Sequence, residues 1–315
     1  MLKDFALLPT QASTVASQVD ALFFFLVAVS AVFIVLIFGL LLIFVVTYRR
    51  RSAKDRPVQI LGDLRLELAW AIIPLGIALV AFGWGASLYM TSRQPPAEAL
   101  EIYVVGKQWM WKFQHAHGKR EINTLHVPVG RPVKLTMTSE DVIHSWFVPA
   151  FRVKMDVVPG RYTTAWFEAT RTGTYHLFCA EYCGTEHSGM IGQVVVLAPA
   201  QYERWLQEAG GRTPLAASGE ELFQQLRCHT CHRADGLRQG PALAGLFGTA
   251  VTLQTGHQVL ADEGYLRESI LNPAAKVVAG YQALMPTYQG QISEEGLVQM
   301  IDYLKSLTRP NEASG

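Results

Sequence analysis

Two long apolar runs near the N-terminus constrain the fold more than any other feature of this chain. The run Ala21–Val46 contains no charged residue, and its only polar side chain is that of Ser30. Because a helix needs about 20 apolar residues to cross a bilayer, this run predicts a membrane helix. A second run, Leu68–Tyr89, is also long enough, and membrane helices tolerate the proline and glycines within it. We therefore expect a two-helix transmembrane hairpin, with helices over about residues 20–47 and 65–90.

The segment between the two runs indicates how the hairpin is oriented. Tyr48–Arg56 is rich in arginine, and short basic loops stay in the cytoplasm. Both ends of the hairpin then lie outside, so everything after about residue 91 is expected on the periplasmic or extracellular side. A cleaved secretory signal is the alternative for the first run. Its apolar core exceeds the roughly 7–15 residues of such a signal and is followed by charges, so we expect a retained helix.

The middle of the chain has the pattern of a β domain. In Pro132–Ser139 apolar and polar side chains alternate, which is the period of a half-buried strand. Similar short runs are Glu101–Val105, Thr163–Glu168, Gly173–Phe178 and Gly192–Leu197. Several short strands punctuated by proline and glycine predict an all-β Greek-key sandwich or barrel.

The C-terminal part has the pattern of a small all-α domain. A short helix, Gln201–Ala209, is predicted before this part, and helices within it are predicted over Glu220–Leu226 and Glu294–Leu307, of which the last is amphipathic. We therefore expect a multidomain chain of four parts. They are an N-terminal segment with the hairpin (1–93), a β domain (94–209), a linker rich in small residues (210–219) and an α domain (220–315).

Charge and cysteine content limit the partners and cofactors. The formal net charge is +1 and the basic residues form only one short tract, so nucleic acid is not an expected partner. The four cysteines form two close pairs, Cys179 with Cys183 and Cys228 with Cys231. A small disulfide scaffold is far richer in cysteine, so the close pairs indicate a metal or cofactor. Two disulfides in an exported domain are the alternative.

The first cysteine pair belongs to a stretch rich in metal-binding side chains. Cys179–Met190 contains both thiols, the imidazole of His187 and a thioether, and His144 lies one strand and return upstream. These are the soft and borderline ligands that copper prefers. Two neighbouring thiolates can bridge two copper ions, each with one histidine, while Met190 and a loop carbonyl act as weak ligands. The alternative is a structural Cys₂His₂ zinc site, in which Met190 has no place.

The second pair forms a haem attachment motif. Cys228–His232 reads Cys-His-Thr-Cys-His, in which both thiols form thioethers to the porphyrin and His232 is the proximal iron ligand. For the sixth ligand we choose Met285, because it falls in a predicted loop. Met300 is the rival but lies on the apolar face of the last helix, and His257 would give a lower potential than methionine.

The copper motif resembles subunit II of haem–copper cytochrome c oxidases. The resemblance rests on His144-Ser-Trp-Phe-Val-Pro followed by Cys-x-Glu-x-Cys-Gly-x-x-His-x-x-Met. Three further motifs are Leu66–Pro74, Gly106–Trp111 and Lys154–Arg161. Together they cover about residues 20–205 and imply a cupredoxin-like domain with a dinuclear copper (CuA) centre.

The resemblance also implies roles for single residues. The copper ligands would be His144, Cys179, Cys183, His187, Met190 and the backbone carbonyl of Glu181. In the family, the carboxylate of that glutamate also faces a magnesium ion at the boundary with subunit I. Trp109 matches the tryptophan through which electrons enter, and Glu67 matches a glutamate at the mouth of a proton channel. The plainer alternatives are an aromatic residue in a strand cluster and an interfacial charge in contact with water.

The α domain resembles class I cytochromes c over about residues 216–308. The matching features are Gly240–Gly248, Met285-Pro and Tyr303–Lys305, and Pro241 would pack against the proximal histidine. The order of hairpin, copper domain and cytochrome c resembles subunit II of bacterial caa-type oxidases. Six histidines need no metal, and four of them are expected at the surface or in loops: His115, His117, His229 and His257.

This order implies the electron-transfer subunit of a terminal respiratory oxidase in a bacterial cytoplasmic membrane. An external donor, cytochrome c or similar, would reduce haem c, then CuA, then subunit I, which reduces oxygen to water and pumps protons. Subunits I and III and membrane lipid are the implied partners. The hairpin helices contain no histidine for a haem–copper centre, so the oxygen-reducing site of this enzyme is expected in a partner.

The same residues also bear on alternative functions. A CuA subunit of a nitric oxide or nitrous oxide reductase is one alternative, but the Glu67 motif and the hairpin favour oxygen. A copper-delivery or sensor protein needs no second redox centre, and a quinol oxidase subunit lacks the copper ligands. The α domain is not strongly basic and the β domain is not strongly acidic, so we expect the fused haem to replace a donor steered by charge.

Overall fold

The computed structural model describes residues 8–52, 62–208, 215–232 and 239–307. The chain divides into two compact units. One unit is Thr14–Gln94, and the other combines Met1–Ser13 with Pro95–Gly315.

The first unit consists of the helices α1 (Ala16–Thr47) and α2 (Leu64–Arg93). Both are long and apolar enough to cross a membrane, and their most apolar stretches are exposed throughout. Asp63 caps α2 by accepting hydrogen bonds from the backbone amides at its start. The rings of Phe25 and Trp84 lie 5.6 Å apart between centroids, so the helices contact each other. The predicted helices are confirmed, and each is a few residues longer than expected.

The β domain is a sandwich of two five-stranded sheets. Its strands are β1 (Leu100–Lys107), β2 (Met110–His115), β3 (Arg120–Ile122), β4 (Thr124–Pro128), β5 (Pro132–Ser139), β6 (His144–Val148), β7 (Val153–Val157), β8 (Thr163–Glu168), β9 (Gly173–Cys179) and β10 (Ile191–Leu197). One sheet has the order β3-β2-β1-β5-β8 and the other β4-β10-β9-β6-β7. All five strand runs predicted from sequence lie within these strands.

The core of the sandwich lies between the sheets. In β5 the alternating side chains Val133, Leu135 and Met137 are fully buried, as their period predicts. Trp146 stacks on Phe167 with ring centroids 5.7 Å apart, which joins the two sheets. Burial of each large apolar side chain contributes roughly 1.5–3 kcal/mol, so the strand ends that carry polar ligands are held by a rigid interior.

A segment before the first helix adds to the sandwich. Ala12 donates its amide to the Ala150 carbonyl and accepts from the Thr170 amide, both at 2.9 Å. Ser13 forms an isolated bridge with Ala169. The sequence groups this segment with the hairpin (1–93), whereas the structure packs it on the β domain because its backbone groups find partners there.

Besides a short 3₁₀ helix at Cys228–Thr230, the C-terminal part contains four α-helices and one small hairpin among the described residues. They are α3 (Pro199–Glu208), α4 (Leu215–Gln225), α5 (Glu263–Leu271), α6 (Glu294–Ser306), β11 (Ala250–Thr252) and β12 (Gln258–Leu260). Helix α6 begins at the N-cap Ser293, whose hydroxyl accepts from the Gly296 amide at 3.1 Å. Helix α5 and the β11–β12 hairpin were not predicted from sequence.

The predicted linker differs from the structure at its C-terminal end. Residues 215–219 are helical, whereas 210–214 lie outside the described residues. Leu215 is buried, and a Cβ on Gly219 would lie 2.0 Å from the Gln299 carbonyl oxygen. Gly219 therefore serves close packing between α4 and α6.

Helix α6 docks on the outer face of the sheet that contains β1 and β5. Lys305 Nζ lies 2.5 Å from Glu101 Oε2, 3.0 Å from Glu263 Oε1 and 3.1 Å from the Tyr103 hydroxyl. Lys134 contacts Glu101 at 2.9 Å and Glu263 at 3.5 Å. These contacts form one charge network of alternating sign across the interface between the β and α domains.

Apolar and backbone contacts extend this interface. Tyr103, Leu215 and Val298 form a buried cluster. Lys112 Nζ lies 2.8 Å from Glu295 Oε1, and the Leu215 amide donates to the Ala116 carbonyl at 3.3 Å. The α domain is thus fixed to the sandwich by several kinds of contact along β1 and β2.

Candidate functional site

The first cysteine pair lies where β6 and β9 run side by side. Cys179 ends β9, Cys183 lies in the following loop, and His144 begins β6. The two sulfur atoms are 3.8 Å apart. Cys179 Sγ lies 3.9 Å from His144 Nδ1, and Cys183 Sγ lies 3.4 Å from His187 Nδ1. Each thiol therefore has one imidazole beside it.

The remaining predicted ligands join the same cluster. Met190 Sδ lies 3.8 Å from Cys183 Sγ, and the Cys179 thiol donates to the Glu181 carbonyl at 3.2 Å. Met190 is buried. The structure thus brings together the six residues that the sequence singles out, with both sulfurs at the centre.

The two thiols have opposite tendencies to ionise. Burial opposes the thiolate of Cys179, but hydrogen bonds from His144 and from nearby backbone amides outweigh it and lower the pKa of Cys179 to about 6. Burial and the negative charge of Cys179 raise the pKa of Cys183 to about 12. Without a metal only one thiolate forms near neutral pH. A bound cation would release the second proton.

The donor set fits copper. All four cysteines are free thiols, and the sulfurs of the pair are much farther apart than the roughly 2.05 Å of a disulfide. The cluster offers two thiolates, two imidazoles and a thioether, whereas a structural zinc site uses four ligands and no thioether. Soft sulfur donors with imidazoles are the ligands of copper, and two thiolates between two imidazoles suit a dinuclear centre.

Two neighbours of this cluster were not predicted as site residues. Asp141 Oδ1 lies 2.8 Å from His144 Nε2. Gln108 Nε2 donates to the Cys183 carbonyl at 2.8 Å, and Trp109 Nε1 donates to the same oxygen at 3.2 Å. The sequence places Gln108 beside Trp109 and Asp141 three residues before His144. Sequence spacing alone does not show that the side chains of Gln108 and Asp141 point towards the cysteine cluster.

The second cysteine pair lines a cavity of about 350 Å³ in the α domain. Among its lining residues are Cys228, Cys231, His232, Pro241, Met285 and Met300. Apolar side chains from α4, α5 and α6 complete the wall. This is the chemistry of a site for a large apolar cofactor attached to two thiols.

The hydrogen bonding and burial of His232 suit a metal ligand. Its Nδ1 lies 2.8 Å from the Pro241 carbonyl oxygen, which leaves Nε2 as the ligand nitrogen. Burial lowers the pKa of His232 although this hydrogen bond opposes the shift, so the ring is neutral. A Cβ on Gly240 would lie 2.8 Å from His232 Cε1, so the chain passes close to the ring. Pro241 thus contacts this histidine through its backbone carbonyl.

Both methionines considered as the sixth ligand reach the cavity. Met285 is half-buried in a stretch without regular structure, whereas Met300 is buried in α6 and belongs to the core. The choice of Met285 as the sixth ligand therefore stays a prediction. His257 follows β11 and does not line this cavity among the described residues.

Three further positions concern the Glu181 side chain, Glu67 and His115. The Glu181 side chain is exposed, so its carboxylate is accessible to an external cation. Glu67 lies in the first turn of α2, in the helical unit. His115, expected at the surface, is buried and contacts Glu121 at 2.8 Å. The expectation for His115 was wrong because its strand partner was not visible from sequence.

The fold and these two sites define a class of protein, a membrane-anchored cupredoxin-like copper domain joined to a cytochrome c domain. The family described as "Cytochrome C oxidase subunit II, periplasmic domain" matches residues 119–197, and the cytochrome c family matches residues 216–308. Both matches fall on the domains that contain the cysteine pairs.

Similar proteins were found over larger or smaller parts of the chain. "Cytochrome c oxidase subunit 2" of Alkalihalophilus pseudofirmus is 30% identical over 301 residues, which cover 89% of this chain and 84% of that protein. The same subunit of Thermostichus vulcanus is 32% identical over 258 residues, 64% of this chain and 78% of that protein. The periplasmic domain of subunit II (CoxB) of Bradyrhizobium japonicum aligns at 30% identity with a TM-score of 0.36, covering 37% of this chain and 96% of that chain.

This chain belongs to the cytochrome c oxidase subunit II family. Members of this family are parts of an oxidoreductase complex. The cytochrome c domain at the C-terminus is present in addition to the copper domain.

Proposed function

We propose that this chain is the electron-transfer subunit of a terminal oxidase. It takes electrons from an external donor, cytochrome c or similar, and passes them through haem c and a dinuclear copper centre to subunit I. That partner reduces oxygen to water and pumps protons. The observation that carries the proposal is the convergence of both thiols, both imidazoles and the thioether of Met190 on one point of the sandwich.

The copper centre would be held by the side chains of His144, Cys179, Cys183, His187 and Met190, with the carbonyl of Glu181. When bound, it supplies a one-electron couple whose charge is shared between two ions. The chain contributes a rigid frame, because His144 and Cys179 lie on hydrogen-bonded neighbouring strands with a packed core behind them. Because these ligands are held in place, the reorganisation energy of electron transfer would be small.

The haem would be held by thioethers to Cys228 and Cys231, and His232 and Met285 would bind its iron. The hydrogen bond from His232 to Pro241 orients the imidazole and raises its basicity as a ligand. Docking of the α domain on β1 and β2 supports transfer within one chain. A tethered and docked donor needs no long-range steering by charge.

Other assignments belong to the same proposal. Trp109 would be the residue through which electrons reach the copper loop, since its indole donates to the Cys183 carbonyl. Glu181 would contribute to a magnesium site at the boundary with subunit I, and Glu67 would lie at the mouth of a proton channel. The hairpin would anchor the chain in a bacterial cytoplasmic membrane beside subunits I and III, with both redox domains on the periplasmic or extracellular side.

Metal analysis of the purified complex tests the proposal. We expect this chain to contribute two coppers and one covalent haem iron, in addition to the metals of the haem–copper centre in subunit I. Cys183→Ser should abolish the copper signal and leave the covalent haem intact. One zinc in place of two coppers would contradict the proposal. A purified complex that reduces nitric or nitrous oxide but not oxygen would favour the alternative assignment as a reductase subunit.

A further inference from the structure

The turn between β1 and β2 reaches the copper-binding loop. Gln108 and Trp109 are its two residues, because Lys107 pairs with Met110 in the strand register. The side-chain amide of Gln108 donates to the Cys183 carbonyl at 2.8 Å. The indole of Trp109 donates to the same oxygen at 3.2 Å, so Gln108 makes the shorter of the two bonds.

The backbone of Gln108 makes a second connection to the cluster. Its amide donates to Asp141 Oδ2 at 2.8 Å, and the other oxygen of that carboxylate lies 2.8 Å from His144 Nε2. Val142 N also donates to Asp141 Oδ1, at 2.7 Å, which fixes the carboxylate from a second direction. One residue therefore contacts Cys183 directly and His144 through a single carboxylate.

Two glycines make room for this approach. Gly184 has a φ of +117°, and a Cβ there would lie 2.9 Å from Gln108 Nε2 and 3.2 Å from Trp109 Cζ2. Gly106, just before the turn, lies so close to His144 that a Cβ would meet the ring carbon Cδ2 at 2.9 Å. The turn and the cluster are thus in contact on both sides without an intervening side chain.

We propose that Gln108 is a positioning residue of the copper centre, an inference that rests on the proposed function. It ties the Cys183 loop, which follows β9, to the His144 end of β6. The relative placement of one thiolate and one imidazole then depends on it. Partners outside the ligands orient metal ligands and tune the metal. Hydrogen-bond donors near a redox centre also affect its potential. The positive ends of these N–H groups would stabilise the reduced copper centre, because it has less positive charge than the oxidised one.

The test uses the full-length chain in its oxidase complex. Gln108→Met keeps the length of the side chain and removes its donor. The matched control is Gln193→Met, which removes an exposed amide that donates to Thr124 Oγ1 at 3.3 Å. We expect Gln108→Met to retain two coppers and covalent haem. Its copper EPR spectrum should change, and the ratio of reduced to oxidised centre at a given potential should fall about fivefold to tenfold, which is about 41–59 mV for a one-electron couple.

A second variant covers the case in which Gln108→Met fails to bind copper. Gln108→Asn keeps an amide in the turn but shortens the side chain, so the bond to the Cys183 carbonyl is lost, and we expect a shift in the same direction. If a variant binds copper but has the same potential and EPR spectrum as Gln193→Met, the inference is overturned. So would a lowered melting temperature with an unchanged potential, since that indicates a merely structural contact.

Failure of this inference is distinguishable from failure of the proposed function. Wild-type protein without two coppers would overturn the proposed function. Wild-type protein with two coppers, together with variants that match the control, would overturn only the positioning role of Gln108.

Discussion

Lys305 in the last helix and Glu101 in the first strand of the sandwich form an ion pair, with Nζ 2.5 Å from Oε2. They are 204 positions apart in the chain. Lys305 also contacts the Tyr103 hydroxyl, which brings the haem-binding domain onto β1. The same strand ends at Gly106 and Lys107, beside His144 and the loop that contains Cys183. Strand β1 therefore connects the docking surface of the α domain to the copper site.

Replacement of Lys305 should weaken this docking. Both side chains are mostly buried, at 17% exposure for Lys305 and 22% for Glu101. We expect Lys305→Met to cost about 2 kcal/mol, less than the roughly 3–5 kcal/mol of a fully buried pair, because Glu101 keeps Lys134. Hydrogen exchange of the amides of β1 and α6 measures the effect, while the haem absorbance reports whether the α domain stays folded.

The control for this variant is Lys154→Met. Its ion pair with Asp156 is about half exposed on both sides, so its loss should change stability by less than about 1 kcal/mol. Equal exchange rates in Lys305→Met and Lys154→Met would show that the charge network does not hold the interface.

The docking should also depend on pH. Burial opposes the charged form of Glu101, but Lys305 and Lys134 outweigh it and lower its pKa from 4.5 to about 2. Because the pKa is lower in the folded chain, the stabilisation is present above about pH 4.5 and is lost as the pH falls towards 2. Its upper limit is about 3 kcal/mol. Exchange of the interface amides should rise over this range in the wild type and respond less in Glu101→Gln.

Copper uptake should release protons. The pKa of Cys183 is raised to about 12 by burial and by the negative charge of Cys179, so this thiol is protonated at neutral pH before metal binds. The apparent copper affinity should rise about tenfold per pH unit for each proton released. Competition with a chelator between pH 7 and pH 9 measures this slope, and an affinity independent of pH would contradict the assignment of Cys183 as a ligand.

Much of the fold follows from local sequence patterns. The alternation in Pro132–Ser139 predicts β5, and the uncharged run Ala21–Val46 predicts α1, because each pattern follows the period or length of its own element. The interface between the domains could not be predicted. Glu101 and Lys305 each look like surface charges in their own segments, and only the tertiary fold gives them a common site.

The same distinction applies to the copper site. Residue type and spacing within Cys179–Met190 indicate a metal site, because two thiols, an imidazole and a thioether so close together are typical of metal binding. Asp141 and Gln108 contribute through hydrogen bonds whose direction depends on a turn and on two glycines. Polar residues of this type are common in loops, so their sequence context does not distinguish them from solvent-exposed ones.

Two glycine variants should separate the two redox sites. Gly106→Ala places a Cβ 2.9 Å from His144 Cδ2 and should reduce copper binding, while the haem absorbance stays normal. Gly219→Ala places a Cβ 2.0 Å from the Gln299 carbonyl and should disrupt the packing of α4 on α6, so haem content falls while copper remains. Copper and iron measured on the same samples make each variant the control for the other. Loss of both metals in either variant would contradict the separation.

Haem ligation distinguishes Met285 from Met300. Both line the cavity, but Met285 lies in an irregular segment that can reach a ring face, whereas Met300 is 2% exposed within α6 and packs in the core. We expect Met285→Leu to remove the sixth ligand and change both the haem spectrum and its potential, because axial ligand identity sets the potential. Met300→Leu conserves volume and should cost less than about 1.5 kcal/mol, with an unchanged spectrum. If Met300→Leu alters the spectrum and Met285→Leu does not, the assignment of the sixth ligand is reversed.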